Sequence, residues 1–172
     1  MRAFTLLILL AGPLAGVASA QPTGDVSLPP IEIGAAFSHD IRDNGQWPAD
    51  GGAGAIVGVN GNLSKFVAIA GEIADSRRMR SVAAGPRVST GFFTEARSTG
   101  RFFAEALVGH YDSGGMAGTL VQAGVGADVI VAARGLSLHW ALDYLRTPES
   151  RRDLSGARFS VGLVVGPRIK LG

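Results

Sequence analysis

The sequence has no cysteine, only 17% charged and 7% aromatic residues, and three histidines. Without cysteine there is no disulfide framework and no thiolate site for a metal. The histidines lie far apart at His39, His110 and His139, so no metal-ligand spacing is visible, and neither a metal nor a cofactor is expected. Charge is sparse and nearly balanced. Setting aside Arg2 leaves 15 of the 16 basic residues against 14 acidic ones, with no Lys/Arg stripe, which argues against a nucleic-acid partner.

What the chain has in quantity is glycine, 25 residues of 172, within a 47% apolar composition. There is no G-x-y repeat, so this abundance fits a single sheet domain with many turns and closely packed faces. Residues 1–20 read as a secretory signal: Arg2 first, the apolar run Leu6–Leu10, then Ala18-Ser19-Ala20 as a small-residue cleavage site. Residues 21–30 read as a polar, Pro-containing, flexible leader, and residues 31–172 as the domain. An exported domain without disulfides needs either a sufficient core of its own or a membrane to hold it.

The stretch Gly135–Arg146, GLSLHWALDYLR, sets the pattern. Leu136, Leu138, Trp140, Leu142 and Tyr144 form one bulky apolar face, while Ser137, His139, Ala141 and Asp143 form a small or polar one. That is the period of a β-strand, although Leu138, Ala141, Leu142 and Leu145 would also make a helical stripe. Seven further segments repeat the alternation between Gly-, Asn-, Asp-, Pro- or Ser-containing turns: Ile31–Ile41, Ala53–Asn60, Phe66–Ala74, Val82–Ser89, Phe102–Tyr111, Gly118–Ile130 and Ala157–Val165. They predict eight strands, with Asn60-Gly61-Asn62 as a hairpin turn and Asp112–Ala117 as a Gly-rich loop. Pro86 stands inside the fourth of them, where a central strand loses a ladder bond.

A membrane barrel and a soluble barrel both alternate, with the apolar face outward in the first and inward in the second. Here the other face is mostly Gly, Ala and Ser, punctuated by Glu72, Arg87, Glu105, Asp128, Asp143 and Arg158. Such a face is too lean in charge for contact with water and suits a narrow lumen. The predicted fold is all-β, an eight-stranded antiparallel up-and-down transmembrane barrel. The chain resembles the small eight-stranded outer-membrane barrels of the OmpA/OmpX type. The resemblance is carried by the signal peptide, GPR at 85–87, FFAEALVG at 102–109, AGVGADV at 123–129, LDYL at 142–145 and FSVGLVVG at 159–166. It implies an outer-membrane location, membrane lipid and the outer-membrane assembly machinery as partners, and a monomer. The chain departs from these barrels by ending GPRIKLG where they usually carry a terminal aromatic. The resemblance also puts four outward loops at Arg42–Gly52, Asp75–Arg80, Asp112–Ala117 and Thr147–Ser155. Short turns near Asn60–Ser64, Glu95–Gly100 and Ala132–Gly135 would face the periplasm.

No nucleophile–base pair emerges from the spacing. His139 and Asp143, four apart on a strand, would stand about 13 Å apart, and no serine follows a histidine by two. The chain is therefore expected not to be an enzyme. A buried charge without a partner is costly, so the inward polar residues Glu72, Arg87, Glu105, Gln122, Asp128, His139, Asp143 and Arg158 are expected to form a pairing network that plugs the lumen. Phe37, Phe102, Trp140, Tyr144 and Phe159 are expected to face outward, and Trp47 to pack on the rim. Two other functions fit an exported barrel: a soluble lipocalin-like carrier of an apolar ligand, and a lipid-modifying barrel enzyme.

Overall fold

The computed structural model describes residues 26–42, 52–77, 79–90, 92–95, 98–132, 135–148, 155–166 and 168–169. The signal segment, Trp47 and most of the first and fourth predicted outer loops lie outside these residues.

Eight long strands, each hydrogen-bonded to the next, form a closed antiparallel ring: β1 Ile31–Arg42, β2 Gly52–Asn62, β3 Val67–Ser76, β4 Arg80–Ser89, β5 Ser98–Ser113, β6 Met116–Ala132, β7 Leu136–Arg146 and β8 Gly156–Val165. The ring closes where β8 pairs with β1, Gly156 opposite Arg42 through Val165 opposite Ile33. No described residue is helical. A short piece, Phe93–Glu95, extends the β4 side of the wall by pairing with the start of β5. Val26–Ser27 pairs with Arg168–Ile169, so the two ends of the described chain meet at one mouth, called here the proximal end.

The eight expected strands are all present, but several turns are tighter than expected. Asn60, Gly61 and Asn62 are strand residues, and the chain reverses instead over Leu63–Phe66. There Ser64 Oγ accepts from the amides of Phe66 and Val67, each at 3.1 Å. A hydroxyl supplying these bonds makes the turn without an Asn-Gly pair. Asp112 and Ala117 are also strand residues, because Gly114 and Gly115 close the hairpin alone, at φ +58° and +85°. A two-residue hairpin turn of this hand needs positive φ, which glycine adopts without strain. Gly100 lies inside β5, which begins at Ser98 rather than after it.

The two faces divide by chemistry. Phe37, Val57, Ile73, Val108, Leu138, Trp140, Phe159 and Val161 point outward, with Phe37 83% exposed and Trp140 38%. On β6 the outward series runs from Val121 to Val131. That is about 33 Å of strand, or about 25 Å of height at a tilt of about 40°, the height of an outer-membrane apolar band. Above it, at the distal end, the outward residues turn polar: His110 and Asp112, with Arg80 and Asp75 paired at 3.2 Å. A soluble barrel would present these faces the other way round.

Inside, small residues on one strand make room for large ones on the next. Gly126 stands opposite Phe103, and a Cβ there would meet the Phe103 ring and the Trp140 carbonyl. Gly126→Val is expected to cost about 1–3 kcal/mol through overpacking. Gly61→Ala, whose Cβ would find its nearest atom at 4.0 Å, should stay within about 0.5 kcal/mol. Urea unfolding in detergent micelles would measure both.

Candidate functional site

The interior side chains are arranged in layers, which follow from the register. At the distal end Leu107, Tyr111, Leu120 and Leu145 make an apolar cluster, each no more than 3% exposed. Below it, one registered row runs Arg87–Glu105–Gly124–Asp143–Arg158 across β4 to β8. Arg87 donates to Glu105 at 2.8 Å from Nε and lies 2.7 Å away through Nη2. Arg158 donates through Nη2 to Asp143 at 3.1 Å and, across the barrel, to Glu72 Oε1 at 2.6 Å. Gln122 donates to the other Glu72 oxygen at 3.3 Å. Gly124 leaves the space that Asp143 Oδ1 occupies.

A second cluster sits toward the proximal end. Arg101 donates from Nε to Asp128 at 2.9 Å and from Nη2 to Glu32 at 2.6 Å, joining β5 to β1 on the far side of the ring. His139 Nδ1 lies 2.6 Å from Asp128 Oδ1, so against a carboxylate it carries the hydrogen and donates. Phe103 separates the two clusters and touches both: the Arg87 guanidinium lies 4.0 Å from its ring centre and His139 stacks on it at 5.3 Å. Ion pairs this deep are costly to desolvate and hold only with good geometry on several sides.

All eight residues singled out in the sequence line the interior. Glu72, Arg87, Glu105, Gln122, Asp143 and Arg158 fall in or beside the first row, and Asp128 and His139 in the second cluster. The distance from His139 to Asp143 along the strand stays unbridged, since His139 pairs with Asp128 instead. Sequence reasoning missed Arg101 and gave Glu32 no role, although both are almost fully buried, at 3% and 0% exposure. The signal was there for Arg101: stepping back two from Phe103 along the inward face of β5 reaches it. Placing a turn over Glu95–Gly100 hid that step.

Within the described residues the two clusters hold five carboxylates, three guanidiniums and one imidazole. Arg87 Nη1, Arg158 Nη1, Asp143 Oδ1 and Gln122 Oε1 are buried without a protein partner. Beside the first row lies a cavity of about 50 Å³, between Arg87, Glu105, Asp143 and Glu72 on one side and Gly34, Ala36 and Gly58 on the other. It is polar and roomy enough for a few water molecules. Its walls are too charged and its volume too small for a lipid chain. No group of three or more His, Asp or Glu side chains suited to a metal occurs among the described residues.

The N-terminal barrel domain of Pseudomonas aeruginosa OprF superimposes with a TM-score of 0.53, covering 80% of this chain and 96% of that one at 11% identity. This chain has the fold of a small outer-membrane β-barrel. Neisserial surface protein A (NspA) agrees, with a TM-score of 0.52 over 78% of this chain and 94% of that one at 12% identity. No protein-family model and no curated protein sequence matches the chain.

Arg101→Leu leaves Glu32 and Asp128 without their guanidinium and is expected to destabilise the barrel by about 3–5 kcal/mol. Arg80→Ala removes a pair whose side chains are 80% and 61% exposed and should cost less than about 1 kcal/mol. Urea titration followed by tryptophan fluorescence compares the two, and equal effects would mean that the interior pairs contribute no more than a surface one.

Proposed function

We propose that the protein resides in the outer membrane as a monomeric barrel with a structural or surface-interaction role. Its lumen is sealed by the charged clusters, and it carries out no catalysis. The observation that carries this reading is the inversion of the faces: an apolar band about 25 Å tall outside and buried ion pairs inside. Such a surface is solvated by lipid and would be a sticky patch in water. The barrel fold shared with OprF and NspA supports the same reading. Membrane lipid is the partner of the band, and the outer-membrane assembly machinery is the partner during insertion. Lys65, whose ammonium lies 4.9 Å from the Phe66 ring centre beside the proximal turn, suits the headgroup level.

Three successive blocks support a sealed lumen: the apolar cluster around Leu120, the ion-paired row, and Phe103 with the Arg101 cluster beneath it. Eight strands enclose an interior that side chains can fill. Against catalysis, the imidazole of His139 is engaged by Asp128 and Phe103 inside this packing. His39 and His110 are exposed on other strands.

The unheated protein is expected to migrate apart from the boiled protein on a denaturing gel and to sediment with membranes. In a Trp47→Phe background, Trp140 fluorescence should be quenched by lipids brominated on their acyl chains. Planar bilayers carrying the protein should show no steady conductance. A protein left in the soluble fraction with Trp140 unquenched would overturn the membrane reading, and a stable open channel would overturn the sealed lumen alone.

A further inference from the structure

The wall of the barrel is not equally closed around its circumference. Among the described residues, seven of the eight seams between neighbouring long strands have pairing unbroken along their interior; the one irregularity among them, between Ile130 and Ala132, sits at the proximal end of β6. The β4–β5 seam differs. Its pairing runs from Arg80–Asp112 to Ala84–Val108, stops, and resumes at Arg87–Glu105 in the same register. The missing pairs, Gly85–Leu107 and Pro86–Ala106, are the two that draw on a donor at position 86, and proline has none. A Cβ at position 85 would collide with the Ala106 carbonyl, so glycine is what fits beside the gap. The gap falls midway along the outward apolar face, between Val82 and Val88, both about half exposed. In a bilayer, water does not reach that depth to replace the lost bond.

Directly behind the gap the interior supplies a fastening. Arg87 and Glu105 are the first registered pair past it, on opposite sides of the seam, and their side chains meet at 2.7 Å. The Phe103 ring, 4.0 Å from the guanidinium, keeps Arg87 in place. Arg87, Glu105 and Leu107 also line the 50 Å³ cavity, so the chamber lies just inside the interrupted ladder.

We propose that the β4–β5 seam at Pro86 is a lateral opening in the barrel wall, latched from inside by the Arg87–Glu105 pair. When the pair parts, β4 and β5 separate locally and the charged cavity communicates with the surrounding phase, while the other seams stay shut. The proposal rests on the bilayer setting of that reading but not on the surface role, and fractionation with membranes tests that setting separately from the exchange experiment below.

Amide hydrogen exchange on the folded full chain in micelles tests it. The amides of Ala104, Ala106 and Val108 are expected to exchange at least about tenfold faster than interior amides of β7, since exchange follows the local opening equilibrium. Pro86→Val supplies the donor and should bring the seam to the rate of β7. Glu105→Gln should speed exchange at the seam relative to β7. Equal exchange at all seams in the unmodified protein, or a seam unaltered by Pro86→Val, would overturn the proposal. If Pro86→Val does not fold, the unmodified comparison and Glu105→Gln decide it. Uniform acceleration of every seam by Glu105→Gln would likewise count against a local latch.

Discussion

Closure of the ring is the constraint on which everything else in this molecule depends. In the membrane setting proposed above a sheet cannot leave an edge, because each backbone donor or acceptor that faces hydrocarbon without a partner is expensive. The pairing of β8 with β1 removes the last edge. It also creates an interior only a few side chains wide. Everything placed there must fit, and every charged side chain described in the two clusters has at least one oppositely charged partner.

That narrowness explains why the lumen is built as it is. Charged groups confined together at low dielectric hold only if each finds an opposite charge. Arg101 and Arg158 therefore each serve two carboxylates, one of them on a distant strand. These cross-barrel bonds tie strands that have no backbone contact, β5 to β1 and β8 to β3. Glycines on the neighbouring strand are the counterpart of the large side chains: Gly124 accommodates Asp143 and Gly126 accommodates Phe103. The same economy of space leaves a small polar cavity where Gly34, Ala36 and Gly58 coincide on one side.

Among the described seams, the one mid-wall break in backbone pairing falls at Pro86, and it is not placed at random with respect to the interior. The ladder gap and the Arg87–Glu105 pair are one residue apart, so a side-chain interaction across the seam stands in for part of a lost main-chain one. Interior chemistry and wall integrity are thus coupled at this point. Interior pairs also cross the β5–β6, β6–β7 and β7–β8 seams, at Arg101–Asp128, Asp128–His139 and Asp143–Arg158, but there the backbone ladder is unbroken beside them.

The face on which each residue lies is legible from the order of residues alone, because a two-residue period is a local steric property of the extended chain. Leu138, Trp140 and Leu142 had to share a side, and His139 and Asp143 the other. Repetition of that pattern eight times resolved the helix-or-strand ambiguity of Gly135–Arg146 and pointed to an all-β barrel. Turn positions were less legible: Gly114-Gly115 and Ser64 close hairpins by local bonds that a composition reading spreads over longer loops. The partners of the charges were not legible at all. Arg101 and Glu32 are 69 residues apart and meet only because ring closure sets β1 across from β5. Likewise proline at position 86 announces a missing donor, but only the register between β4 and β5 decides which carbonyl loses it and that Arg87 and Glu105 lie beside the gap. Sidedness is decided by the chain one residue at a time, whereas contact across a lumen is decided by the geometry of the whole ring.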